Sequence, residues 1–133
     1  MGFIENFRSI VNPRGRSLNW APVTYVDVWE ELADEISGGY RFSFYEYMND
    51  LSVRDVLECA LQSDALDCYP EWSAYKSAVA RIDGRMRALL ADGPEVRPSA
   101  LWWYARLPAI GSHEFVEDVK AEYGIDLEEC NPE

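Results

Sequence analysis

The sequence predicts an all-α protein, a compact bundle of five or six helices around a central long helix over about residues 70–91. Three observations predict it. Apolar residues recur at steps of three and four along most of the chain, the period of helices with one buried face. Breaks containing Gly or Pro at residues 12–17, 37–39, 92–94 and 124 cut the chain into helix-sized pieces. Hydrophobic residues make up 48% of the chain and aromatics 14%, enough for a real core, and 133 residues fit one domain. Residues 1–133 are therefore read as a single acidic helical domain.

Phe3, Ile4, Phe7, Ile10 and Val11 give residues 3–11 the pattern of a short amphipathic helix. The turn-forming run Asn12-Pro13-Arg14-Gly15-Arg16-Ser17 follows, so segment 1–20 reads as a peripheral arm. The first long helix is expected to start near Thr24, which with Asp27 has capping-box spacing, and to stop at Ser37-Gly38-Gly39. Residues 40–50 are ambiguous: Tyr40, Phe42 and Phe44 alternate as in a strand, whereas Ser43 and Glu46 form a helix cap. A short helix over 44–49 is the expectation, because a lone strand leaves its backbone groups unpaired. Ser52 and Asp55 then cap a separate helix whose buried stripe is Val53, Val56, Leu57, Ala60 and Leu61.

Pro70 suits the first turn of the long helix. Along it, Trp72, Tyr75, Val79, Ile82, Met86 and Leu89 form a heptad-like seam, expected to face the protein's own core, with a homodimer seam as the alternative. Gly84 inside this helix costs about 1 kcal/mol relative to Ala, which suggests a close helix crossing there. A short helix over Pro98–Leu107 and a last one from Ser112 to Tyr123, stopped by Gly124, complete the set; residues 128–133 are expected to fray.

Charge bounds the function. There are 24 acids, 12 bases and one His, a formal charge of −12. Segments 27–71 and 112–133 carry −10 and −7, whereas 1–26 and 72–111 carry +2 and +3. Such an excess repels phosphates and argues against direct binding to nucleic acid or anionic membrane. Three cysteines with no C-x-x-C pair favour a reducing compartment over a disulfide or zinc framework. With no apolar run of spanning length and no secretion-type start, the expected location is cytoplasmic.

No residue pattern marks a reaction. His113, the lone histidine, follows a helix cap and reads as an exposed first-turn residue. Asp64, Asp67 and Glu71 are the best local carboxylate cluster, but clusters arise by chance among 24 acids. No catalytic residue, cofactor or metal site is assigned. Arg14 and Arg16 are expected either to fold back on the acidic face or to meet a partner.

The most organised feature is a one-signed ridge: Asp27, Glu30, Glu31, Asp34 and Glu35 share one side of a helix, with no Lys or Arg among them. Trp102, Trp103 and Tyr104 point in three directions if helical, so either their helix is surrounded or one ring is exposed. The expectation is a non-enzymatic acidic binding protein that occludes a basic site on a partner, of the inhibitor, immunity-protein or DNA-mimic type. The ridge would be its charged contact, Trp103 its anchor, and Tyr45 and Tyr47 an extension. Its partner would be a basic protein or the basic site of a nucleic-acid-binding protein. The alternative is a structural accessory of a phage or multi-subunit complex. The first reading requires the ridge to be covered by water rather than by the chain's own arginines.

Overall fold

The structure, a computed structural model, describes residues 2–12, 20–98 and 101–130. In chain order its elements are α1 (Phe3–Val11), α2 (Pro22–Ser37), α3 (Phe44–Leu61), α4 (Pro70–Leu90), the short α5 (Trp102–Ala105), β1 (Ile110–Gly111), α6 (His113–Tyr123) and β2 (Glu128–Glu129). The architecture is all-α, with only a two-residue parallel pairing of β1 and β2 added.

Boundaries follow local chemistry. Helix α2 begins two residues before Thr24: Ala21 is extended and Pro22 takes the first turn, where its missing N–H is not needed. Beyond α2, Gly39 turns the chain at φ 91°, a value a side chain would strain. Residues 44–61 form one continuous helix rather than two. The Ser43 hydroxyl accepts from the Glu46 amide (3.1 Å) and the Asp118 carboxylate of α6 accepts from the Phe44 amide (3.0 Å), so α3 is capped from two sides. Ser52 does not start a helix; its hydroxyl donates back to the Asn49 carbonyl (2.5 Å) while the helix runs on.

Helices α2 and α4 lie side by side, and α3 rather than α4 makes the widest set of contacts, touching α1, α2, α5 and α6. The buried side chains Trp29, Leu51, Leu57, Ile82 and Met86 belong to α2, α3 and α4. Burying each contributes about 1.5–3 kcal/mol. The seam of α4 faces inward, with Trp72, Val79, Ile82 and Met86 buried, so it is not presented to a second copy. Helix α1 is docked rather than a loose arm: Phe7 is fully buried, and the Phe3 ring packs on Tyr69, Trp72 and Tyr75.

No helix crosses at Gly84, which is exposed; a Cβ placed there meets nothing within 4 Å. The close approaches lie elsewhere. A Cβ on Gly93 would sit 1.6 Å from the Leu107 carbonyl oxygen, and one on Gly111 would sit 2.5 Å from the Phe115 ring.

Around α5 the expected helix over 98–107 shrinks to four residues, because Glu95 and Arg106 bridge in antiparallel fashion and the Val96 amide donates to the Ala105 carbonyl (2.8 Å). The segment after Leu127 does not fray at residues 128–130. Glu128 and Glu129 pair in parallel with Ile110 and Gly111, Tyr40 bridges the same Gly111, and the Cys130 amide donates to the Gly111 carbonyl (2.7 Å). Among the described residues, no helix is long and apolar enough to cross a membrane.

Candidate partner-binding surface

The acidic ridge on α2 is substantially covered by the protein itself. Arg81 and Arg85, one turn apart on α4, reach across to Glu30 (2.9 Å) and Asp34 (2.6 Å). Arg41, just past the α2 terminus, holds Glu35 with two hydrogen bonds (2.8 and 3.2 Å). Only Asp27 and Glu31 lack an ion pair among the described residues, and both are exposed. Within α2 the sequence shows no base, and the compensating charges come from α4 and from the loop beyond Gly39. The case for a cationic target, insofar as it rested on this ridge, falls with that finding.

Trp103 is not an exposed anchor. It is 2% exposed, and its indole N–H donates to an Asp55 oxygen (3.0 Å) while the Tyr104 hydroxyl donates to the other (2.5 Å). The Arg54 guanidinium stacks over its ring at 4.4 Å. Trp102 is half-buried, edge-on to Trp29 and covered by the Arg87 guanidinium at 4.0 Å. The three directions of the Trp-Trp-Tyr run are thus filled by α2, α3 and α4. Tyr47 is also fully buried, which removes it from any surface, and its hydroxyl has no hydrogen-bond partner among the described residues.

Sequence reasoning missed the polar centre that these aromatics surround. Among the described residues, Arg54 is the one charged residue that is buried, 4% exposed. Its Nε and one terminal nitrogen each lie 2.9 Å from an Asp83 oxygen, and the other terminal nitrogen lies 2.9 Å from Glu58. Trp29 donates its indole N–H to the same Asp83 (3.0 Å). Burial works against the guanidinium charge, but the hydrogen bonds it donates to Asp83 and Glu58, with the charges of those carboxylates, outweigh it and raise the Arg54 pKa. Glu58 is lowered, chiefly by its hydrogen bond from Gln62 and then, against burial, by Arg54. The available signal was the i,i+4 spacing of Arg54 and Glu58; Asp83 follows the buried Ile82 but nothing in its neighbourhood announces a partner.

A further concentration of uncompensated negative charge lies on α6 and the segment after it. Over 112–130 there are seven acids against Lys120 and His113. Glu114, Glu117, Glu122 and Glu128 are exposed and have no ion pair among the described residues, whereas Lys120 meets Asp126 (3.2 Å). The start of α3 abuts this helix through the Phe44–Asp118 hydrogen bond and the contact of the Phe44 and Tyr123 rings. Two exposed aromatics flank that junction: Tyr45, 74% exposed, and Phe42, 42% exposed, with the free carboxylate of Glu46 beside Tyr45.

His113 is exposed, as its position after the Ser112 cap implies, and Nδ1 lies 3.1 Å from the Glu129 carboxylate on β2. That hydrogen bond and the charge of Glu129 raise its pKa. Among the described residues, no three His, Cys, Asp or Glu side chains converge as a metal site, Asp64, Asp67 and Glu71 included. Arg14 and Arg16 lie outside the described residues. Comparison with protein families, with curated proteins and with solved structures finds no match.

Proposed function

We propose that this chain is a non-enzymatic acidic binding protein that covers a basic site on a partner protein, with its charged contact on α6 rather than α2. One observation carries the reading. The bases of the fold are largely engaged internally, while Glu114, Glu117 and Glu122 on α6 remain uncovered next to exposed Tyr45 and Phe42. Like-signed carboxylates steer a cationic surface toward the site, and a neighbouring aromatic supplies the apolar anchor that charge alone lacks. A protein of this kind, in the manner of an immunity protein or an inhibitor that imitates nucleic acid, works by occupying the basic site. A cytoplasmic setting suits it.

The test is capture from the native host's lysate at low salt, followed by association kinetics with the captured protein. The expected result is an on-rate that falls steeply as salt rises and drops at least about tenfold in a Glu114→Gln, Glu117→Gln, Glu122→Gln variant. An on-rate indifferent both to salt and to those three substitutions refutes the proposal.

A further inference from the structure

A pocket of about 320 Å³ opens between α1, α2 and α3, away from α6. Its walls are apolar and aromatic: Trp20, Tyr25, Val28, Val53 and Val56. The Trp20 and Tyr25 rings lie 5.1 Å apart. Among the described residues, the one formal charge in the lining is the half-buried carboxylate of Asp50. Among the described residues Asp50 has no cationic partner; of the other half-buried carboxylates, Glu30, Glu35, Glu58 and Asp83 pair with arginines, whereas Asp55 and Asp118, like Asp50, accept from neutral donors. For Asp50 the neutral donor is the Tyr40 hydroxyl, at 2.7 Å. Burial and that hydrogen bond push the Tyr40 pKa far up, so the phenol stays protonated and remains a donor. The Ser52 hydroxyl, also in the lining, donates to the Asn49 carbonyl and is not available to neutralise Asp50.

We infer that this pocket is a binding site for a small arylalkyl ammonium ion, its charge against Asp50 and its apolar body among Trp20, Val28, Val53 and Val56. A carboxylate in an apolar, partly dehydrated setting favours a compact cation, and a flat ring beside it favours the same charge. The volume suits a molecule of about a dozen heavy atoms and lies at the lower end of small-molecule sites. Tyr40 acts as a positioning residue: it holds one carboxylate oxygen and leaves the other for the ligand.

The experiment is a ¹H–¹⁵N NMR titration of the full chain with phenethylammonium chloride, and with 2-phenylethanol as a neutral molecule of matching shape. The expected result is saturable shifts centred on Trp20, Val28 and Val53, with the alcohol at least about tenfold weaker. Asp50→Asn keeps an acceptor for the Tyr40 hydroxyl and should weaken the amine by a similar factor, abolishing the preference for charge. The Glu114→Gln, Glu117→Gln, Glu122→Gln variant should bind the amine as the parent does, which separates this site from the partner surface. Equal binding of alcohol and amine in the parent protein overturns the inference without any variant. So do shifts confined to the α6 carboxylates, or an acetyl-arginine amide that fills the pocket where phenethylammonium does not.

Discussion

Arg54 and Asp83 face each other across α3 and α4 as a two-point pair, both bonds 2.9 Å, with the guanidinium buried against the face of Trp103. The pair gathers four elements: Trp29 from α2 donates to the same carboxylate, and α5 supplies the ring beneath the cation. Replacing Arg54 with Ala strands Asp83 in a site made for a charged partner. The expected loss is about 3–5 kcal/mol, and Arg54→Met combined with Asp83→Leu should recover much of it, because a buried ion pair is costly to break and cheap to replace whole. Urea unfolding of the three proteins checks this. A loss under about 1 kcal/mol for Arg54→Ala would show that the pair is not buried as described.

The bridges over the α2 ridge should behave differently. Arg81 is 61% exposed and Asp34 64% exposed at the side chain, so water competes at both pairs. Double-mutant cycles for Glu30 with Arg81 and for Asp34 with Arg85 should give coupling of no more than about 1 kcal/mol each, falling further with added salt. Thermal or urea unfolding of the single and double Gln or Asn variants provides the numbers. Their effect is on the field around α2, not on the stability of the fold.

Two glycines should respond with opposite sign. Gly84→Ala meets no neighbour within 4 Å and improves helix propensity, so stability should rise by about 0.5–1 kcal/mol. Gly93→Ala drives a methyl to 1.6 Å from the Leu107 carbonyl oxygen, and the loop carrying α5 must move to admit it. A loss of several kcal/mol, on the scale of severe overpacking, is expected. Equal behaviour of the two variants in unfolding experiments would contradict the packing described here.

His113 provides a pH signature. Its folded pKa is raised above the ordinary 6.5 by Glu129. The contact therefore stabilises the fold fully below the unfolded value and fades as pH rises through the folded one, in a window that opens at the ordinary imidazole value and extends above it. As the chain's single histidine it gives one ring signal to follow. Its NMR midpoint should lie above that of the unfolded chain and drop in Glu129→Gln, and amide exchange at Glu128–Cys130 should quicken as the ring loses its proton.

The sequence disclosed helices where apolar spacing was regular, and it failed where tertiary partners decide. Residues 3–11, 70–91 and 113–123 were readable from their stripes and end signals, because these need only local information. Ser52 misled because a Ser followed by Asp at three residues looks the same at a cap and inside a helix; what distinguishes them is whether Tyr47, Leu51 and Leu57 face one core, as they do. The tail at 128–130 looked frayed because its partner strand is two residues long and too short to show a pattern. The ridge was legible as a row of acids on α2. Its neutralisation was not, because Arg81 and Arg85 are about fifty positions away and their approach depends on how α4 lies along α2. The acids of α6 are as plain in the sequence as the α2 row, but which of the two rows keeps its charge uncovered depends on where α4 places its arginines.

The reach of α3 has a consequence for how the chain acquires its shape. This helix receives α1 and α2, which precede it, and α5 and α6, which follow it, so neither half owns a complete interior. A nick in the turn near residues 63–68 should leave two fragments that are unstructured apart and regain order only when mixed. Refolding is accordingly expected as a single all-or-none event, with the middle of the chain as the scaffold on which both flanks condense.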